Sequence, residues 1–338
     1  MSLIEAQPYI SCQQAICLKQ KAIYYHPPHS YAEVDRSNAW PFSCCFSLPS
    51  SGGGSFVAQV VASGHIGMFT FNGIRFALGA LSLLPVIFIF EGKQLTKEKI
   101  KKAVPPGLLT GMALFTASTL QQYGVKETAS AGEAGFLTGL YTVLVPVLGI
   151  LFRKKPTLFT AGGTTLALVG LYFVSVKDSF SISWGHWVMI IGAFFWAWHI
   201  IAVDFFVSKV PSLTFACIQF SVCAVLSLGS MVLFEEVVWQ NLTAALPVTV
   251  YSGLMSVGVA FTLQILGQKK ADPAFAAIVL STESVFSAIG GALILGETMT
   301  ARGYVGCTLI FCGIVVSQLK DVIDRWMVKK PSQSAKEP

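Results

Sequence analysis

The sequence predicts an all-α integral membrane protein of about ten transmembrane helices, and two observations lead to this fold class. Of the 338 residues, 54% are hydrophobic and only 12% are charged, with a mean hydropathy of +0.65. Water-soluble domains carry about 25% charged residues because their surfaces face water. This chain has too few to cover such a surface, and its apolar residues are gathered in long stretches that would lie in lipid.

Nine apolar stretches account for most of these helices. Each is long enough to cross a hydrocarbon core of about 30 Å, which takes roughly 20 helical residues. None shows the strict alternation of membrane strands, so helices are expected. The stretches are residues 69–90, 104–123, 132–152, 159–176, 184–207, 215–234, 245–266, 275–295 and 303–319.

The tenth span, the first in the chain, fits poorly. It would cover residues 43–62, which contain Pro49 and three consecutive glycines, Gly52 to Gly54. Both residue types lower helix propensity, so we expect a first helix that is atypical or truncated. An altered reading frame upstream of about Gly53 is the explanation that we favour, and it would leave the chain inactive. The alternative is a genuine but weak span behind a cytosolic extension.

The basic residues predict the orientation of the chain. Sixteen lysines and arginines lie in the tail and in every second loop, whereas the opposite loops hold only Lys126, Lys177 and Arg302. Cytoplasmic loops carry the excess of basic residues in membrane proteins. We therefore expect a multi-pass protein of the cell (inner) membrane with both termini in the cytoplasm. The net charge of +6 serves this topology, and no nucleic acid partner is expected.

The second half of the chain repeats the first. With a shift of 144 residues Thr70 aligns with Thr214 and Glu91 with Glu235. With a shift of 143 the aligned pairs include Gly163 with Gly306, and Gly170 with Gly313. We expect four regions: an atypical N-terminal region 1–50, repeats at 51–178 and 184–319, and a cytoplasmic tail 320–338.

A repeat of five helices must enter the membrane in the opposite direction the second time. The charges agree, because the basic loop at Arg153, Lys154 and Lys155 corresponds to a segment that carries Glu297 instead. Inverted repeats are typical of secondary transporters, which bind their cargo near the membrane midplane between the two halves. This architecture favours alternating access over a channel.

Seven short motifs, spread in order over residues 54–297, carry a resemblance to a known family. They are Gly54-Ser-Phe-Val-Ala-Gln59, Phe71-Asn-Gly-Ile-Arg-Phe76, Gln121-Gln-Tyr-Gly124, Ala131-Gly-Glu-Ala-Gly-Phe-Leu-Thr-Gly-Leu-Tyr141, Ala271-Asp-Pro273, Leu280-Ser-Thr-Glu-Ser-Val-Phe286 and Leu295-Gly-Glu297. At these motifs the chain resembles the EamA-type branch of the drug/metabolite transporter superfamily, which are ten-span exporters with two five-helix repeats.

The resemblance implies a secondary carrier that exports a small metabolite, an amino acid or a related compound, through the lipid bilayer by alternating access. The alternative is a non-transporting scaffold, or a transporter inactivated by its first helix. The sequence contains no Walker motif and no hydrolase or metalloprotease motif, so neither an ATP-driven pump nor an enzyme is expected. No cofactor, metal site or catalytic residue is expected. Proton coupling and a homodimer are left open.

Two ionisable residues inside spans are the first candidates for substrate binding. Such groups are costly in a membrane and usually face a cavity or a partner. Arg75 could hold a carboxylate, or it could lock two helices together. Glu283 could bind a substrate amine or a coupling proton, or it could make an interhelical hydrogen bond through a neighbouring Ser281, Thr282 or Ser284.

Six further residues are candidates for the walls of the same site. Aromatic walls with a few polar groups suit a small organic ligand. Trp196, Trp198 and His199 cluster near the inner half of one span, although a single histidine is more often structural. Gln121, Gln122 and Tyr141 are expected to line the outer part of the cavity.

Overall fold

The computed structural model describes residues 42–151, 158–175, 182–270 and 273–328, and every regular element in these ranges is a helix. Most of the atypical N-terminal region, residues 1–41, lies outside them. The helices are α1 (Phe42–Ser63), α2 (Met68–Phe90), α3 (Lys97–Thr128), α4 (Ala131–Gly139 and Tyr141–Leu151), α5 (Leu158–Ser175), α6 (Trp184–Val207), α7 (Ser212–Phe234), α8 (Trp239–Tyr251, Ser252–Phe261 and Thr262–Lys270), α9 (Pro273–Ile294) and α10 (Ala301–Val328).

The lengths and compositions of the helices confirm the prediction of a membrane protein. Five of the described helices are long and apolar enough to cross a bilayer, and the other apolar segments are shorter. The long ones are Met68–Phe90, Lys97–Thr128, Trp184–Val207, Ser212–Phe234 and Trp239–Leu266.

Two helices run well beyond the apolar stretches that predicted them. Helix α3 begins at Lys97, where the Thr96 hydroxyl accepts a hydrogen bond from the Lys99 backbone N–H at 3.4 Å. Helix α10 continues to Val328, nine residues past the predicted end at 319. Hydropathy detects only the part of a helix that lies in lipid, whereas capping and backbone hydrogen bonding continue into the polar flanks.

Helix α1 is atypical in composition but has 22 residues, the length of a membrane span. Its glycines lie at close helix contacts. A Cβ atom on Gly53 would come within 2.5 Å of the Phe286 Cβ of α9, and one on Gly54 within 2.6 Å of the Tyr251 hydroxyl of α8. Glycines in the composition that suggested a damaged helix thus permit close packing of α1 against α8 and α9.

The packing of the helices follows the internal repeat. Helices α2, α4 and α5 each pack against their own repeat counterparts, α7, α9 and α10. Helix α3 packs on α6 and α7, and its counterpart α8 packs on α1 and α2. These contacts of α3 and α8 therefore occur twice with the roles of the repeats exchanged, as an inverted repeat requires.

The same hydrogen bonds also occur twice between α2 and α7. The Glu235 carboxylate accepts hydrogen bonds from the backbone N–H (2.8 Å) and the hydroxyl (2.7 Å) of Thr70 at the start of α2. Glu91 accepts them from the backbone N–H (3.0 Å) and the hydroxyl (2.7 Å) of Thr214 at the start of α7. A carboxylate at a helix N-terminus satisfies free N–H groups and the helix dipole, so α2 and α7 are joined at both ends.

Glycines produce a similar duplicated contact between α5 and α10. A Cβ atom on Gly163 would lie 2.5 Å from the carbonyl oxygen of Gly313, and one on Gly170 would lie 2.6 Å from that of Gly306. Small residues allow the backbones of membrane helices to approach closely. The four glycines that aligned in the sequence therefore form one interface.

Candidate functional site

A cavity lies between the two repeats and is lined by seven helices. The space between its lining atoms amounts to about 540 Å³, including the open mouth. Its walls combine aromatic rings, amides, hydroxyls and one charge of each sign. The lining residues are Ser55, Phe56, Gln59, Arg75, Gln121, Gly135, Thr138, Gly139, Tyr141, Trp196, Ile200, Ser256, Phe261, Gln264, Glu283 and Ser284.

Two departures from regular α-helix face this cavity. Helix α8 is a π-helix from Ser252 to Phe261, and Ser256 and Phe261 line the cavity. Helix α4 is interrupted at Leu140, between the lining residues Gly139 and Tyr141. Irregular turns inside helices occur often at functional sites, and in a membrane they are tolerated where they face a cavity or protein.

Arg75 and Glu283 line the same cavity from α2 and α9. Arg75 is only 1% exposed, and its guanidinium carbon lies 5.0 Å from the centre of the Phe71 ring and 4.9 Å from that of Phe76. Among the side chains that the structure describes, neither charge has an ion-pair partner, and the Arg75 Nε has no hydrogen-bond acceptor. A buried charge such as Arg75 is normally paired, so its lack of a partner leaves it available for a ligand, as is the partly exposed Glu283.

The repeat counterpart of Arg75 differs in this respect. With the shift of 144, Arg75 corresponds to Gln219 of α7, and the Gln219 Oε1 lies 2.9 Å from the His199 Nε2. His199 does not line the cavity, and its ring stands edge-on to Trp196 with the ring centres 5.7 Å apart. One repeat thus carries a hydrogen-bonded glutamine–histidine pair where the other carries a cation facing the cavity.

Trp196 fixes the orientation of Gln121. The indole N–H donates a hydrogen bond to the Gln121 Oε1 at 3.0 Å, and both side chains are buried. An indole can only donate, so Gln121 must present its carbonyl oxygen to Trp196. Its NH₂ group remains free of hydrogen bonds to the described residues and lies in the cavity wall, where it adds a donor to that of Arg75.

Two sequence candidates lie away from the cavity. Gln122 is 1% exposed and donates from Nε2 to the backbone carbonyl of Gln59 at 3.1 Å, which ties α3 to α1. Trp198 is 48% exposed on the outer face of the bundle, where a membrane protein meets lipid. The structure therefore brings together Arg75, Glu283, Gln121, Tyr141 and Trp196, but not Gln122, Trp198 or His199.

Several polar lining residues were not predicted. Gln264 of α8 corresponds to Gln121 with the shift of 143, and the two glutamines line the cavity from opposite repeats. Gln59 donates to the Ser55 hydroxyl at 3.4 Å, and its Oε1 has no partner among the described atoms. The repeat alignment would have identified Gln264, whereas no feature of Ser55, Thr138 or Ser256 distinguishes them from other small residues in spans.

Comparison with known proteins assigns this chain to a protein family. A profile of the EamA-like transporter family matches residues 42–176 and 183–318, one match in each half of the chain. The chain belongs to the EamA-like transporter family. The first match begins at the first residue of α1, and the two matches together include every residue that lines the cavity. This EamA-like protein is accordingly a transporter by family, with the multi-pass helical fold described above.

Two individual proteins are similar to this EamA-like chain. An uncharacterized transporter of Archaeoglobus fulgidus is 26% identical over 269 residues, which are 79% of this chain and 82% of that protein. A protein of known crystal structure superposes with a TM-score of 0.63 at 17% identity, over 83% of this chain and 96% of that one. At that identity the superposition shows a shared fold.

Proposed function

We propose that this EamA-like protein is a secondary carrier that exports a small metabolite by alternating access, with the cavity as its binding site. The cargo would be an amino acid or a related compound that carries an anionic group. The observation that supports this proposal is that Arg75 and Glu283, neither with an ion-pair partner among the described side chains, line one cavity formed by both repeats.

The site suggests how the cargo would be held. The Arg75 guanidinium and the Gln121 NH₂ group are donors for a carboxylate, and a charged donor makes the stronger bond. Glu283 and the Gln59 Oε1 are acceptors for an ammonium or hydroxyl group of the same molecule. Tyr141 and Trp196 would pack on its apolar part. Glu283 is also the residue that would carry a coupling proton.

The charges of the loops support a proposal for the orientation of the carrier in the membrane. We place it in the cell (inner) membrane with both termini in the cytoplasm, because the basic residues lie in the connections after α2, α4, α6 and α8 or in the helix ends next to them. A homodimer is compatible with this arrangement, and a single chain already contains the complete cavity.

Metabolite efflux from cells tests the proposed function. Cells that express the unmodified chain are compared with cells that express Arg75→Lys, Arg75→Gln, Glu283→Gln or Trp198→Phe, at equal abundance in the membrane. The unmodified chain and Trp198→Phe are expected to release the same metabolite at the same rate. Arg75→Gln is expected to abolish release, and Arg75→Lys to reduce it because lysine keeps the charge and loses the planar fork.

The result for Glu283→Gln separates two roles of the carboxylate. Loss of net efflux with retained exchange of cargo against cargo would assign it to proton coupling, whereas loss of both would assign it to cargo binding. If cells with the unmodified chain release no metabolite of a broad panel beyond cells without it, the carrier proposal fails and a non-transporting scaffold replaces it.

A further inference from the structure

Helices α4 and α9 close one end of the cavity. The Ser284 hydroxyl donates to the backbone carbonyl of Gly135 at 2.9 Å, and the Ser287 hydroxyl donates to that of Ala131. A Cβ atom on Gly139 would lie 2.7 Å from the Ser284 Oγ. Because Gly135, Gly139 and Ser284 also line the cavity, any opening at this end must separate the first half of α4 from the second half of α9.

A carboxylate holds these two helices together at their outer ends. Glu297, in the segment after α9, accepts hydrogen bonds from the backbone N–H groups of Ala131 (2.7 Å) and Gly132 (3.3 Å). It also accepts one from the Ser130 hydroxyl at 2.9 Å. The negative charge lies at the N-terminus of α4, where the helix dipole favours it. The interaction therefore joins the end of α9 to the start of α4.

The backbone before Glu297 is shaped for this contact. Gly296 has φ = 67°, a left-handed conformation that favours glycine. The Glu297 backbone N–H donates to the carbonyl of Gly291 at 3.1 Å, which turns the chain back along α9. A Cβ atom on Gly291 would lie 2.6 Å from the Glu297 Oε2, so glycine at that position leaves space for the carboxylate.

Comparison with the α2–α7 pair distinguishes this contact from ordinary capping. Helices α2 and α7 have a carboxylate at both ends, Glu235 and Glu91. At the position that the repeat makes equivalent to Glu297, the chain carries Lys154, and residues 152–157 contain no aspartate or glutamate. An ammonium group donates hydrogen bonds and cannot accept one from a backbone N–H. The segment after α4 therefore offers no carboxylate for the equivalent contact with the start of α9.

We propose that Glu297 is the latch of the outer gate of the transport cycle. Its carboxylate holds the N-terminus of α4 while the cavity is closed on the outer side, and it releases that N-terminus when this side opens. The α2–α7 pair stays joined at both ends. The first turn of α4 also contacts α6, because the Glu133 carboxylate lies 3.1 Å from the His186 Nε2, and this contact does not cross the gate. The proposal rests on the proposed carrier function.

Cysteine labelling tests the latch without any knowledge of the cargo. Thr138→Cys places a thiol in the cavity wall beneath the gate, and intact cells are treated with a membrane-impermeant maleimide. Labelling above that of the unmodified chain, which has its own cysteines, measures access from outside. Adding Glu297→Gln is expected to raise the labelling rate about fivefold, the shift in population that follows from weakening one helix-cap contact. In inside-out vesicles the same change is expected to lower the rate.

The matched control is Glu235→Gln in the same Thr138→Cys background. It makes the same chemical change at another helix N-terminus on the same side of the protein, and labelling is expected to stay unchanged. Ser287→Ala, which removes a different bond across the gate, is expected to raise labelling as Glu297→Gln does.

Two results would overturn the latch. One is an unchanged labelling rate in Glu297→Gln, whether or not Ser287→Ala raises it. The other is an equal increase in Glu235→Gln, which would reveal general loosening of the bundle. Because labelling needs no cargo, an increase confined to the gate variants in cells that show no efflux would uphold the latch while the proposed cargo export fails.

Discussion

At the scale of the residue, the candidate site depends on which polar atoms remain without partners. Arg75 and Gln219 occupy equivalent positions, yet Gln219 contacts His199 while Arg75 has no partner among the described side chains. Trp196 and Trp198 lie two residues apart on α6, yet one is buried against Gln121 and the other is 48% exposed. The role of each side chain therefore follows from its partners.

The two tryptophans provide a matched test. Trp196→Phe keeps an aromatic ring but removes the indole N–H, so the Gln121 amide loses its only described hydrogen bond and can rotate. Leaving a buried polar group unpaired costs about 1–3 kcal/mol. We expect the concentration of exported metabolite that gives half-maximal efflux to rise about tenfold. In Trp198→Phe it is expected to stay unchanged, and an equal rise in both variants would contradict the assigned orientation of Gln121.

The sequence predicted five of the residues that line the cavity because charged and aromatic residues inside spans are conspicuous. It could not distinguish Trp196 from Trp198, since their separation of two residues places them on different faces, and hydropathy does not indicate which face meets lipid. Gln121 and Gln122 are adjacent residues of the same type, so the sequence could not indicate which of them faces the cavity. Gln59 and Ser55 were missed because they lie in the span whose glycines and proline suggested a damaged helix.

At the scale of the element, close contacts between glycines determine how the repeats meet. The α5–α10 interface contains Gly163 against Gly313 and Gly170 against Gly306, with backbone facing backbone. Because the nearest atoms at these points belong to the backbone of α10, an added methyl group can be accommodated only by separating the helices. The spacing of the small residues predicted faces for helix packing. Only the alignment of the two repeats indicates which glycines would face each other.

Neighbouring glycines in α5 allow this interpretation to be measured. A Cβ atom on Gly163 would lie 2.5 Å from the Gly313 carbonyl oxygen, whereas nothing lies within 4 Å of one on Gly162. Gly163→Ala is expected to lower the melting temperature of the purified protein, because overpacking costs about 1–3 kcal/mol. Gly162→Ala is expected to leave it unchanged or raise it, since alanine favours helix by about 1 kcal/mol. Equal melting temperatures in the two variants would contradict the described interface.

At the scale of the whole molecule, the inverted repeat relates the fold to the proposed mechanism. The sequence predicted the ten helices and their pairing into two repeats, because a shift of 143 or 144 residues aligns most of the chain. The π-helix in α8 could not be predicted, since the equivalent stretch of α3 is a regular α-helix. The two halves therefore share a fold but differ around the cavity.

The proposed orientation leads to a test of its own. With both termini in the cytoplasm, a fluorescent reporter that folds only there is expected to be active when fused after Pro338 and when fused before Met1. A phosphatase that is active only outside the cytoplasm is expected to work when it is inserted between α7 and α8. Phosphatase activity at the C-terminus, with no fluorescence there, would reverse the orientation.

The central claim is that one cavity between the repeats is reached alternately from the two sides of the membrane, and Ser256→Cys tests it most directly. Ser256 lies on the π-helix in the cavity wall and is 2% exposed. An impermeant maleimide is added to intact cells or to inside-out vesicles, and labelling is compared with that of the unmodified chain. The account predicts labelling from each side, with Glu297→Gln increasing it from outside and decreasing it from inside. Labelling from one side alone, unaffected by Glu297→Gln, would contradict alternating access.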